Sequence, residues 1–312
     1  MNNRGDPLKS KFIAGSRGSR LALIQTRAII DLLQKACPRC TFTIRVVKTE
    51  GDKERSAPLA QMGGQGVFVK ELEEQLLSGS IDLAVHSLKD MPVQLQKGLK
   101  IGAFPIREDA RDVLITRSGV TLSGLPSGSK IGTGSPRRAV QLRAVRPDLQ
   151  IHGIRGNVDT RLKKMRSGEV DAIILAAAAL HRMGWADQIT EYLDPGICLP
   201  AVGQGSLAIE IRSREKELED ILLKINHIPT SQAVTAERAL LAGLGGGCHA
   251  PIAAHARVEG QEVKIEGMVA SANGSTILRG TETGPAASPA DSGKKLADYF
   301  LKKGAAKLLE KQ

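Results

Sequence analysis

The side chains best placed for chemistry are one carboxylate, one thiol and a scattered set of arginines. Asp90 closes the run Val85-His86-Ser87-Leu88-Lys89-Asp90-Met91-Pro92, in which an apolar strand ends in polar side chains before a proline stops it. In cationic surroundings such a carboxylate stays ionised, and it can stabilise a developing positive charge or accept a proton. It is equally readable as a loop cap beside a solvated Lys89, and His86 fits a packed strand histidine better than a catalyst. Cys248 sits in Leu244-Gly245-Gly246-Gly247-Cys248-His249-Ala250-Pro251, where three glycines free the backbone to present one thiol at a sharp turn. A free cysteine is also commonly a small buried hydrophobe, and the adjacency of His249 does not make a catalytic pair.

The arginines fall near strand ends. In Lys130-Ile131-Gly132-Thr133-Gly134-Ser135-Pro136-Arg137-Arg138 a strand gives way to a helix with Ser135 as N-cap and Pro136 at its first position. Arg137 and Arg138 then occupy the first turn, where the helix dipole opposes cations by about 0.3–1 kcal/mol each. An anion held at that helix start reverses the sign and uses the free backbone N–H groups; the alternative is a pair of solvated surface arginines. Arg17, Arg155, Arg161 and Arg182 lie in or after similar loops. Ligands of open α/β sheets bind outside the carboxyl ends of the strands, where these guanidiniums could converge on paired carboxylates.

The elements that must position these groups read as strand, Gly or Ser loop, helix, repeated through the first half, the pattern of a mostly parallel α/β sheet. Phe12-Ile13-Ala14 leads into an apolar-periodic helix beginning near Leu21, Thr41 to Val47 alternates as a strand, and Gly63-Gly64-Gln65-Gly66 opens a helix over Val67 to Leu77. Ser78-Gly79 ends that helix before a buried strand at Ile81 to His86, and Ser167-Gly168 does the same before Ala172 to Ala176. The repeat implies two lobes of similar design, although a helix, glycine cap and strand is common in any α/β protein. After Glu237 the texture changes to short alternating strands at Ile252 to Val258, Glu262 to Ala270 and Ile277 to Thr283. A Pro- and Ser-rich linker at Gly284 to Asp291 and a helix over Lys294 to Leu309 complete a small α+β unit.

With 312 residues, two or three compact units are expected. No apolar run approaches the roughly 18 residues of a membrane span. Met1 to Lys11 is polar and basic, a lead-in without the apolar core of a secretory signal, so the cytosol is the expected location. Four cysteines do not make a disulfide framework, and Cys37-Pro38-Arg39-Cys40 is taken as a loop with two ordinary thiols. The net charge of +11, from 44 basic and 33 acidic residues, points to nucleic acid or to a polyanionic small ligand. At 3% aromatic content there are few stacking platforms, and no block of consecutive basic residues marks a nucleic-acid arm, so a ligand cleft is favoured.

The segments GSRGSRLAL, GGQGVFVKELE, AVHSLKDMP, GTGSPRR, RGNVDTRL, LPAVGQG, TAERA and GGGCHAPI, in this order, resemble the serial motifs of the hydroxymethylbilane synthase (porphobilinogen deaminase) family. The resemblance implies an α/β fold of two periplasmic-binding-protein-like lobes with mixed, mostly parallel sheets, plus a small α+β C-terminal domain with an antiparallel sheet. The implied boundaries are residues 1–105 with 206–224, residues 106–205, and residues 225–312. It implies a dipyrromethane cofactor held through a thioether on Cys248, made from two substrate molecules and extended by four more porphobilinogens before water releases hydroxymethylbilane. Asp90 takes the place of the catalytic aspartate. Ser87, Lys89, Asp90, Thr133, Ser135, Arg137, Arg138 and Arg155 are implied as cofactor contacts, and Arg17, Ser19, Arg155, Arg161, Arg182 and Gln204 as substrate contacts. No metal, nucleic acid or membrane partner is implied, and the chain is expected to be monomeric. Gln61 and Gln65 stand where the family commonly has lysines, and Gly134 and Pro136 depart from the commoner GTSSLRR-like segment. A solute-binding domain using the same lobes without chemistry, and a basic nucleic-acid-binding protein, are the rival classes.

Overall fold

A computed structural model of the chain describes residues 9–48, 69–245 and 250–310. Its elements begin with β1 (Lys11–Arg17), α1 (Arg20–Ala36), β2 (Thr41–Val47), α2 (Lys70–Leu77), β3 (Leu83–Ser87) and β4 (Leu99–Ala103). There follow β5 (Asp112–Thr116), β6 (Lys130–Gly132), α3 (Pro136–Val145), β7 (Gln150–His152), α4 (Val158–Arg166), β8 (Ala172–Ala176), α5 (Ala177–Met183) and β9 (Glu191–Tyr192). The last third holds β10 (Leu207–Arg212), α6 (Lys216–Leu223), α7 (Ile228–Gly243), β11 (Ile252–Glu259), β12 (Glu262–Ala270), β13 (Ile277–Pro285), α8 (Pro289–Lys302) and α9 (Ala305–Leu309). Among the described residues no helix is long and apolar enough to cross a membrane.

The chain divides into two compact units, Met1–Ile106 with Leu207–Ile228, and Arg107–Ser206 with Pro229–Gln312. The first is built on a five-stranded sheet in the order β2-β1-β3-β10-β4. β1 runs parallel to β2 and β3, whereas β10 runs against both β3 and β4, so four strands share one direction and β10 alone opposes them. Alternation along the strands sends Phe12, Ala14, Leu83, Val85, Ile209 and Ile211 to one face, where Ile29 and Leu33 of α1 and Leu218 and Leu222 of α6 cover them. α2 covers the other face through Leu72 and Leu76, each fully buried and each stabilising by about 1.5–3 kcal/mol.

The second unit repeats the plan. Its five-stranded sheet has the order β7-β6-β8-β5-β9, with β6 parallel to β7 and β8, and β5 antiparallel to β8 and β9. The duplicated Ser-Gly stop therefore has structural meaning. Gly79 and Gly168 both take positive φ (75° and 82°), closing α2 and α4 before the strand that forms the centre of each sheet. The same unit contains the antiparallel sheet β11-β12-β13. Ala253, Met268 and Ala270 of that sheet share a core with Val140 and Leu199, and Ala254 N–H donates to Pro200 O (3.1 Å). The fold is thus mixed α/β, with a small antiparallel C-terminal sheet.

Three expectations need correcting. Cys37 and Cys40 are joined as a disulfide. Cys37 caps α1 by donating its N–H to Leu33 O (2.8 Å), Cys40 N–H returns to Cys37 O (2.9 Å), and this tight turn brings the Cα atoms to 5.4 Å within the first unit's core. The proposed linker at Gly284 to Asp291 is not one, because β13 runs on to Pro285 and α8 already starts at Pro289, where a missing N–H costs nothing. The terminal helix is two helices, broken at Gly304, whose φ is 90°. Gly63, Gly64, Gln65 and Gly66, with Val67 and Phe68, lie outside the described residues.

Candidate active site

In the first unit the pairing Gly15↔Ala84 sets the ends of β1 and β3 level, which places Arg17 and Ser87 at one carboxyl edge of the sheet. Ser19 follows as the N-cap of α1, its Oγ accepting from Ala22 N–H (3.3 Å). From inside the same helix, the buried Gln25 donates Nε2–H to Ser87 Oγ (3.0 Å) and tethers the end of β3 to α1. Beyond Ser87 the chain makes a short 3₁₀ turn over Leu88–Asp90, closed by Met91 N–H to Leu88 O (3.1 Å). Leu88 and Met91 are buried at 1% and 2% exposure, while Lys89 is half-buried and Asp90 exposed. The two apolar anchors hold the turn so that its polar side chains face outward. Arg17, Ser19, Ser87, Lys89 and Asp90 are therefore brought together on this unit.

In the second unit Ser135 caps α3 by accepting from Arg138 N–H (3.4 Å), and Thr133 Oγ1 accepts from Ser135 N–H (3.2 Å). The anion facing Arg137 and Arg138 is the chain's own Asp112, at the start of β5. Arg137 Nη1 donates to Asp112 Oδ2 (2.7 Å), and Arg138 Nε and Nη2 donate to Oδ1 (3.0 and 2.7 Å). Gln204 Nε2 adds a bond to the same oxygen (2.9 Å), and Arg138 Nη1 reaches Ile174 O (3.0 Å). Asp112 and Gln204 are fully buried, with Arg137 and Arg138 at 4% and 6% exposure. Burial pushes the Asp112 carboxyl up, but the two guanidiniums outweigh it and hold the group well below the usual carboxylate range. With two cations against one anion, the cluster keeps one net positive charge. The Cys198 thiol beside it is pushed up to about 12 by burial and by Asp112, and so stays neutral.

The remaining arginines of this unit lie further out. Arg155 is exposed after β7, and Arg161 in α4 donates Nε–H to Gly156 O (2.8 Å). Arg182 in α5 donates to Gly205 O (2.7 Å), and burial lowers its pKa against the opposing pull of Glu108. Cys248 and His249 lie outside the described residues, as does Gln61. Among the described residues no group of three His, Cys, Asp or Glu side chains could hold a metal ion.

Two polar hubs escaped the sequence reading. Asp112 is one; the other is Glu237 of α7, fully buried, which pairs with Arg107 (2.6 Å) and accepts from Gly203 N–H (2.7 Å) and Ala256 N–H (2.8 Å). The available signal for Asp112 was the charged run Arg107-Glu108-Asp109-Ala110-Arg111-Asp112 leading into the apolar Val113-Leu114-Ile115. For Glu237 it was its standing as the single acid in the sequence Ile228 to Gly243.

Strand-end hydroxyls and cations on an α/β framework, one carboxylate exposed on a rigid turn and a buried cationic cluster define an anion-handling α/β protein. Comparison with known families narrows this. The model described as porphobilinogen deaminase, dipyromethane cofactor binding domain, matches residues 12–220, and the porphobilinogen deaminase C-terminal domain matches residues 231–302. Porphobilinogen deaminase of Syntrophobacter fumaroxidans is 46% identical over 95% of this chain and 96% of its own. That of Geobacillus kaustophilus is 48% identical over 96% and 97%. The chain belongs to the porphobilinogen deaminase family. The second substrate-binding domain of Lactococcus lactis GlnP is similar at a TM-score of 0.44 and 11% identity, covering 77% of this chain and 93% of that one.

Proposed function

We propose that this chain condenses four porphobilinogen molecules head to tail, with loss of ammonia, on a bound dipyrromethane primer and then releases hydroxymethylbilane by hydrolysis, serving tetrapyrrole biosynthesis. The observation that carries this is the family match over both segments of the chain. The donor set fits the group: each pyrrole unit carries an acetate and a propionate, which suit guanidinium forks and hydroxyls. When bound, the dipyrromethane supplies a nucleophilic pyrrole carbon as the starting end of the chain. Cys248 is the residue assigned to hold it, through a thioether.

Asp90 is assigned the catalytic role. Held on its turn by Leu88 and Met91, an ionised carboxylate there stabilises positive charge on a pyrrole nitrogen of porphobilinogen as ammonia leaves and the new carbon–carbon bond forms. Ser87 and Lys89 of the same turn, with Thr133, Ser135 and Arg155, are assigned to cofactor carboxylates. Arg137 and Arg138 contribute through the net positive charge that Asp112 leaves uncancelled. Arg17, Ser19, Arg155, Arg161, Arg182 and Gln204 are assigned to substrate; for Gln204, which is fully buried against Asp112, the assignment is to the wall of the site. The enzyme is read as a cytoplasmic monomer with no nucleic-acid partner, organised as residues 1–105 with 206–224, 106–205 and 225–312.

Intact mass of the purified chain tests the reading. A dipyrromethane adduct is expected, lost in Cys248→Ala together with porphobilinogen consumption. An unmodified wild-type chain that consumes no porphobilinogen refutes the enzyme, and an adduct that survives Cys248→Ala refutes the anchor.

A further inference from the structure

On one face of its sheet the first unit buries a Glu, a His and a second Glu for which the proposed reaction has no use. Glu73 on α2, His86 on β3 and Glu210 on β10 lie on the sheet face that α2 covers, with exposures of 8%, 6% and 0%. His86 Nε2 is 3.0 Å from Glu210 Oε2, and Glu73 accepts a backbone N–H from Gln96. The other oxygen of each carboxylate, Glu73 Oε1 and Glu210 Oε1, is buried without a hydrogen-bond partner among the described residues. Two buried carboxylates with unpaired oxygens are costly when both are charged. A proton on one of them removes a charge and creates a donor.

We infer that Glu73, Glu210 and His86 form a single buried unit in which Glu73 carries a proton while Glu210 pairs with His86, and that this unit positions the turn bearing Ser87, Lys89 and Asp90. The link to the turn is covalent and short: His86 immediately precedes Ser87, and β10 clamps both through the pairings Ala208↔His86 and Leu207↔Ser87. The positioning of the turn rests on the role proposed above for Asp90; the proton on Glu73 does not.

The charged surroundings are few. α2 also carries Lys70, Glu71 and Glu74. On β10, Arg212 is committed to Leu76 O, Ile81 O, Asp82 and Glu215. On β4, Lys100 pairs with Glu219. Burial first, then the charge of Glu210, raises Glu73 above its ordinary 4.5, against a smaller opposing pull from His86. A carboxyl raised on folding holds its proton to higher pH in the folded state, so its stabilising effect is complete below pH 4.5 and fades as pH climbs through the folded value.

The test uses the full-length protein carrying its cofactor. Wild type should lose melting temperature as pH rises above 4.5, and Glu73→Gln, permanently uncharged, should lose much less. Glu210→Gln should lower kcat by about 10- to 100-fold with KM little changed, because the turn is displaced and substrate binding is not removed. Glu210→Asp, which keeps the charge, should recover part of that loss, and it stands in if Glu210→Gln does not fold. An unaltered pH slope in Glu73→Gln overturns the proton on Glu73, and wild-type kcat in Glu210→Gln, or in Glu210→Asp where it stands in, overturns the positioning role. A wild-type chain with the expected slope but no activity on porphobilinogen upholds the proton on Glu73 and brings down the proposed function instead.

Discussion

Replacing Asp112 with Asn keeps the size of the side chain and removes the one negative charge that Arg137 and Arg138 share. In the folded protein this carboxylate accepts from Arg137 (2.7 Å), from Arg138 (3.0 and 2.7 Å) and from Gln204 (2.9 Å), all without solvent access. Breaking a buried ion pair by removing one partner strands the other charge and costs about 3–5 kcal/mol. With roughly 2–4 °C per kcal/mol for a unit of this size, the midpoint of that unit should fall by about 6–20 °C. Calorimetry at neutral pH measures it, with the cofactor adduct quantified by mass on the same sample. The acid limb provides a second check. Because Asp112 is depressed on folding from its ordinary 3.8, its contribution is complete above that pH and disappears only as pH falls through the folded value. Wild type and Asp112→Asn should therefore converge in stability at strongly acidic pH and differ most at neutrality. A midpoint within about 2 °C of wild type would refute the reasoning, as would a stability gap that widens as pH falls.

Asp90→Asn should reduce turnover by about 10²–10⁴-fold and leave the melting curve near wild type, since only a charge on an exposed turn is removed; an equal loss of activity and stability would make the residue structural. Gly205→Ala should destabilise by at least about 1–3 kcal/mol, because its φ of 87° is strained for alanine and the added Cβ would sit 2.3 Å from Glu108 O. A wild-type melting temperature in that variant would show that the Glu108 backbone yields freely.

Local features were legible in the sequence and long-range pairings were not. Ser135 and Pro136 announced the start of α3, and the boundaries of β12 follow directly from its alternation between Glu262 and Ala270. The two Ser-Gly stops disclosed the duplicated plan because a glycine after a helix has one conformational reason to be there. Arg137 and Arg138 were visible as cations needing an anion, yet their counter-charge lies 25 and 26 residues earlier and could not be chosen from several acids. Arg107 meets Glu237 across 130 residues, and His86 meets Glu210 across 124. Such pairs depend on which strands become neighbours, and sheet order is not encoded in any local period. The Cys37–Cys40 disulfide was missed for another reason: four cysteines in a chain of this length argued from composition toward free thiols, whereas the turn geometry is local.

The place of β10 between β3 and β4 has a consequence for biogenesis. The strands of the second sheet all fall between residues 112 and 192, so that sheet can assemble as soon as this stretch has left the ribosome. The first sheet cannot: it lacks the strand between β3 and β4 until Arg212 has been made, although four of its five strands are complete by Ala103. The N-terminal strands must therefore wait, with the edges of β3 and β4 unpaired, through the synthesis of about a hundred further residues, at roughly 5–20 residues per second. The part of the chain that is made first is finished second.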